Sequence, residues 1–156
     1  MCLNGHQHSS TLDWGQVESG FCEKCGAELI SACTSCHYPI AGNYDGSGGG
    51  ILDLTWISNK VPIPNYCNHC GQPYPWTRSV IEATQELIDM SDLNQNDKED
   101  FKETIPNILT DTPKTKVATT KFTVYAKKIS SSLGSAIHDI LVDVVSEAVK
   151  KAIWGA

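Results

Sequence analysis

Apolar side chains recur every three or four positions in the second half of the chain and lose that rhythm in the first half. Val80, Ile81, Thr84, Leu87 and Ile88 share one helical face behind a Ser79 and Glu82 capping pattern, which predicts a helix over 78–90. Asn94 is the N-cap of a second segment whose Phe101, Ile105, Ile108 and Leu109 fall together, with Pro106 kinking or ending it. Thr112 followed by Pro113 starts a third, striped by Ala118, Phe122, Tyr125, Ile129 and Leu133, although the β-branched run "VATTKFTVY" suits a strand equally well. "SSSLGS" then punctuates the chain before a last helix over 135–153, whose Ile137, Ile140, Leu141, Val144, Val145, Ala148, Val149, Ala152 and Ile153 lie opposite Asp139, Asp143, Glu147 and Lys150.

The first half follows other rules. "GNYDGSGGG" at 42–50 reads as a loop, and "ILDLTWI" at 51–57 alternates as a strand should. "VPIPNYC" cannot be helical because of Pro62 and Pro64. The expected fold class is therefore α+β: a domain of short antiparallel β over 1–76, then a bundle of three to four helices over 77–156.

Cysteine spacing turns the first domain into a metal problem. All 7 cysteines precede residue 80, six of them in three C-x-x-C pairs: "CEKC" at 22–25, "CTSC" at 33–36 and "CNHC" at 67–70. Two thiolates three residues apart can grip one tetrahedral ion from a tight turn, and Gly26 and Gly71 follow two of the pairs where a positive φ is favoured. Six thiolates are two short of two closed sites, and the opening "CLNGH" supplies the others. Eight ligands result: Cys2, His6, Cys22 and Cys25 for one zinc, Cys33, Cys36, Cys67 and Cys70 for a second. His8 is the spare candidate for His6, and a cross-braced pairing of Cys2 and His6 with Cys33 and Cys36 uses the same eight residues. The architecture expected is a double zinc ribbon.

Competing chemistries fit less well. A thioredoxin-like dithiol needs one C-x-x-C between strand and helix, catalytic zinc needs an open position, and neither common ferredoxin spacing is present. His37 and His69 sit inside or beside the turns as surface residues. Ser130, Ser131, Ser132 and His138 do not compose a nucleophile, base and oxyanion set. A noncatalytic protein follows.

Composition narrows the partners. A formal charge of -6 argues against a general phosphate-backbone binder. Residues 82–111 nevertheless carry nine acids against Lys98 and Lys102, while Lys114, Lys116, Lys121, Lys127 and Lys128 follow with no acid among them. These oppositely charged segments would lie against each other within a bundle or between copies, and the lysine face is the alternative place for nucleic acid. The charged positions within 138–151 rule against a membrane span, and no basic region followed by an apolar core opens the chain, so a cytoplasmic, reducing address is expected, where clustered cysteines hold metal rather than disulfides. The stripe over 135–154 is expected to serve as a bundle core or, failing that, as a homo-oligomer seam or a face on a membrane surface.

The motifs "CLNGH", "FCEKCGAELISACTSC" and "NYCNHCGQPYPWT", leading into capped helices, resemble a family of small uncharacterised bacterial proteins with an N-terminal double zinc ribbon and a helical tail. The resemblance covers essentially the whole chain and implies bacterial origin or a mobile element, a cytoplasmic location and zinc at the eight positions; it implies no activity. The functional expectation is a scaffold or adaptor whose ribbons bind a protein partner and whose helices bundle or self-associate.

Overall fold

A computed structural model describes residues 1–8, 19–40 and 63–155. The strand expected over 51–57 and the loop over 42–50 lie outside the described residues. The chain divides into two compact units, Met1–Thr77 and Arg78–Ala156.

In the first unit the described residues form isolated antiparallel bridges, Cys2 with Leu29, Phe21 with Glu28, Ala32 with Pro39 and Tyr66 with Pro73, rather than the strands expected there. The reason is spacing. Three of the four bridges close directly around a cysteine turn, and each turn takes up the backbone groups that would otherwise extend a ladder. Besides cysteine, the apolar side chains buried among the described residues of this unit are Met1, Ile40, Tyr74 and Trp76, the last two with rings stacked at 4.6 Å.

Five helices are found among the described residues, one or two more than the pattern predicts: α1 (Pro75–Asp89), α2 (Gln95–Ile108), α3 (Pro113–Ala126), α4 (Ser131–Leu141) and α5 (Glu147–Trp154). Helix α1 starts three residues earlier than expected because Pro75 supplies a ready-made first-turn φ. Asn94 caps α2 through the Asp97 N–H at 2.9 Å, and Pro106 lies inside the helix two residues before its end, so the N–H it lacks removes one bond from the last turns and the helix closes soon after. The ambiguous "VATTKFTVY" is helical. Its threonines are satisfied inside the helix: the Thr119, Thr120 and Thr123 hydroxyls donate to the carbonyls of Thr115, Lys116 and Thr119.

The single helix expected over 135–153 is two. Ser130 caps α4, so "SSSLGS" begins a helix instead of punctuating the chain, and Ser146 caps α5 through the Val149 N–H after a turn at 142–146. The break lets Ile137, Leu141, Val145 and Val149 all reach one core with Ile88, Phe101, Ile105, Ile108 and Phe122. Ala148 and Ala152 of the stripe remain exposed. No helix among the described residues is long and apolar enough to cross a membrane.

The charge asymmetry is partly taken up inside this unit. Lys121 pairs with Asp100 and Lys128 with Asp97, joining α3 to α2, while Lys102 pairs with Asp89 at the end of α1.

Candidate metal centres

Each cysteine pair sits in the same backbone turn. The first cysteine's carbonyl accepts the N–H four residues on, from Gly26 to Cys22, His37 to Cys33 and Gly71 to Cys67, and its own N–H donates to the carbonyl five residues on. The fourth residue is left-handed in all three: φ is 68° at Gly26, 59° at His37 and 71° at Gly71. The opening turn is a tighter variant, with the Gly5 N–H donating to the Cys2 carbonyl and the Cys2 N–H to the His6 carbonyl. Within each C-x-x-C pair the first cysteine is buried, and Cys25 and Cys70 reach the surface.

The turns gather the donors into two groups. Cys2, His6, Cys22 and Cys25 form one, and Cys33, Cys36, Cys67 and Cys70 the other, each with ligand atoms within 4.8 Å of one another. All eight sequence-predicted residues are therefore brought into clusters, in the sequential pairing and not the cross-braced one. None of the seven thiols is in a disulfide.

The spacings inside the groups fit a metal. A regular tetrahedron with metal–sulfur bonds of about 2.3 Å and metal–nitrogen bonds of about 2.0 Å has sulfur–sulfur edges of about 3.8 Å and sulfur–nitrogen edges of about 3.5 Å. In the first centre Cys2 Sγ lies 3.7 Å from Cys25 Sγ, and His6 Nδ1 lies 3.5, 3.5 and 3.3 Å from the sulfurs of Cys2, Cys22 and Cys25. In the second, Cys33 to Cys70 is 3.8 Å and Cys36 to Cys67 is 3.7 Å. Thiolate-rich sets of this kind suit soft or borderline ions.

Backbone N–H groups prepare several sulfurs to be thiolates. The Ala27 N–H draws the Cys25 thiol down to about 6, and the N–H groups of Cys70 and His69 draw Cys67 down to about 6. Cys33 is lowered by the N–H groups of Cys36 and Ser35. Cys36 receives the Tyr38 N–H, yet desolvation and the neighbouring sulfurs of Cys70, Cys67 and Cys33 push it up to about 12, and burial raises Cys2. Crowded thiolates repel one another; a divalent cation among them removes the conflict by deprotonating the set.

Two histidines noted in the sequence take places that spacing did not specify. His8 places Nε2 3.1 Å from Cys22 Sγ, beside the first centre but outside its ligand group. His69 stacks on Tyr38 with centroids 4.5 Å apart and planes 8° from parallel, clear of the second centre's donors. For His8, the histidine pair in "HQH" was the available signal.

Paired four-donor Cys/His clusters followed by a helical region define a small protein of metal-binding type, with donors enough in each cluster for one four-coordinate ion. Over residues 1–153 the chain matches the family described as "Uncharacterized protein conserved in bacteria (DUF2321)", and it belongs to that family. No curated protein and no solved structure matches it.

Proposed function

We propose that this chain is a noncatalytic zinc scaffold or adaptor of the bacterial cytoplasm. One zinc ion at each centre holds a pair of short ribbons, the ribbon surface receives a protein partner, and the helices bundle and self-associate. The observation that carries this reading is closure: seven cysteines and His6 fill two four-donor sets at tetrahedral spacing, which is the form of structural rather than catalytic zinc.

Other features support it. Phe21 is 74% exposed beside the first centre, and the Tyr38 and His69 stack lies on the surface beside the second, so both ribbons offer aromatic contact area. On α3, Val117 and Val124 are exposed, and a groove of about 590 Å³ lined by Thr119, Thr123, Val124, Ala148 and Ala152 runs between α3 and α5. Self-association would use this surface, where Ala148 and Ala152 of the 135–154 stripe stay exposed while Ile137, Leu141, Val145 and Val149 enter the core. Ser130 caps α4, and His138 is engaged by Asp139 and Trp154, so neither is poised as a nucleophile or base.

Nucleic-acid binding through Lys114, Lys116, Lys121, Lys127 and Lys128 is the weaker reading, since Lys121 and Lys128 already serve α2 carboxylates. Native mass spectrometry with elemental analysis tests the main one. Two zinc ions per chain in a defined oligomer are expected; one zinc, or another metal, overturns it. Tight binding of single-stranded or duplex nucleic acid that weakens steeply with salt would favour the alternative.

A further inference from the structure

We propose that His8 is a positioning residue of the first centre: its Nε2–H donates a hydrogen bond to the Cys22 sulfur and makes that sulfur a poorer nucleophile, while His6 alone supplies the nitrogen ligand. The inference rests on the reading that this centre holds zinc.

The argument is one of distances and donor counting. His6 Nδ1 stands 3.3 to 3.5 Å from all three sulfurs of the centre, as a shared tetrahedral vertex must. His8 Nε2 is 3.1 Å from Cys22 Sγ, within hydrogen-bond reach of sulfur, while His8 stands outside the group of four donors that lie within 4.8 Å of one another. A metal-bound cysteine carries no proton, so the only hydrogen available to that contact is on His8 Nε2. The imidazole is thereby fixed as a donor.

The consequence falls on one sulfur. A hydrogen bond withdraws charge from a thiolate, holds it in place and leaves less density for attack on an electrophile. Cys25 is exposed and is the first centre's natural point of attack, whereas Cys22 is buried and held by His8. With a maleimide, the sulfur adds to the carbon–carbon double bond, the neighbouring carbon takes a proton from water, and the zinc leaves to a chelator. The order of labelling therefore reports the hydrogen bond.

The test uses the full zinc-loaded chain, its His8→Ala and His8→Gln variants, and His6→Ala. Long-range nitrogen–proton spectra of the wild-type imidazoles should show His8 protonated at Nε2 and His6 metal-bound through Nδ1. Maleimide labelling mapped by peptide mass should show Cys22 reacting about 10-fold faster relative to Cys25 in His8→Ala. His8→Gln, which keeps an amide N–H at similar reach, should restore most of the difference, and Cys33, Cys36, Cys67 and Cys70 should be unaffected. A metal-bound His8 Nε2, zinc lost from His8→Ala but kept by His6→Ala, or an unchanged Cys22 rate would each overturn the proposal. A wild-type first centre that binds no zinc would overturn the metal reading with it, and the zinc count of the wild-type chain reveals that before any variant is made.

Discussion

Gly5 lies against the Trp76 side chain so closely that a Cβ added at Gly5 would stand 3.0 Å from Trp76 Cβ and 3.1 Å from Cγ. The turn that presents Cys2 and His6 is thus packed on the "PYPW" segment that leaves the last cysteine pair. Trp76 is itself held, donating from Nε1 to the Pro64 carbonyl at 2.9 Å, while the Thr77 hydroxyl donates to the Asn65 carbonyl at 2.8 Å. Two distant pieces of sequence close the first unit together.

Gly5→Ala should therefore destabilise that unit by about 2 kcal/mol, from a φ of 83° that alanine resists and from the clash with an anchored indole. Gly71→Ala, where an added Cβ meets nothing within 4 Å, carries only the conformational part, about 1 kcal/mol. Denaturant titrations of the zinc-loaded variants compare them, and equal losses would mean that the Trp76 contact is not limiting.

His37 occupies in the second turn the left-handed position that Gly26 and Gly71 occupy in the others. Its side chain is exposed, so His37→Gly should raise stability by about 0.5 to 1 kcal/mol in the same titration. A loss instead would indicate that the imidazole makes a contact worth more than the strain.

Zinc removal should act on one unit. Among the described residues of the first, few apolar side chains besides cysteine are buried, and structural metal binding supplies folding free energy on the order of 10 kcal/mol per site. The second has an apolar core of its own. Chelation followed by amide spectroscopy should collapse the resonances of 1–8, 19–40 and 63–74 and leave those of α2 to α5 dispersed.

The Asp100 cluster predicts a pH dependence with two ends. Lys121 and then Tyr125 hold the Asp100 carboxyl below its usual 3.8, so the stability it contributes is complete above that value and is lost as pH falls through the lower folded-state value. The hydrogen bond to Asp100 pushes the Tyr125 phenol up to about 12; its contribution is complete below 10 and is lost as pH rises through about 12. Tyr125→Phe should cost about 1 kcal/mol at neutral pH and remove one late step from the tyrosinate absorbance titration. Unaltered stability would mean that the bond is matched by hydration in the unfolded chain.

Val145→Asp separates a core position from a seam. Val145 is 5% exposed and packed in the helical core, so an unpaired carboxylate there should destabilise the unit by about 3 kcal/mol or more. Mass should remain that of the wild-type assembly in whatever fraction stays folded. A folded variant with altered mass would place the seam on this face after all.

Local chemistry was readable without coordinates wherever a few neighbouring residues decide the outcome. The spacing of Cys22 and Cys25, with Gly26 behind them, is sufficient for a metal-gripping turn, and Asn94 and Thr112 mark helix starts because capping is a matter of the next three residues. The donors of both clusters could be named in this way. Whether Cys2 and His6 would join Cys22 and Cys25 or Cys33 and Cys36 could not, because the two pairings are equivalent locally; the bridge of Cys2 to Leu29 brings that pair alongside the first turn.

The remaining differences have the same origin. The residues of 135–153 carry one continuous apolar stripe, and only packing reveals that a turn at 142–146 lets both halves reach the core. The lysines of α3 read as a free cationic face until α2 is laid beside them and Asp97 and Asp100 take two of them up. His8 is a spare ligand by sequence and a neighbour of Cys22 in space. Sequence by itself determined the donors, the turns and the starts of α2 and α3, since covalent spacing and local hydrogen bonding act over a few residues. Tertiary structure alone decided which donors share a centre, which charges are paired and where the last helix breaks, since those depend on contacts between segments far apart along the chain.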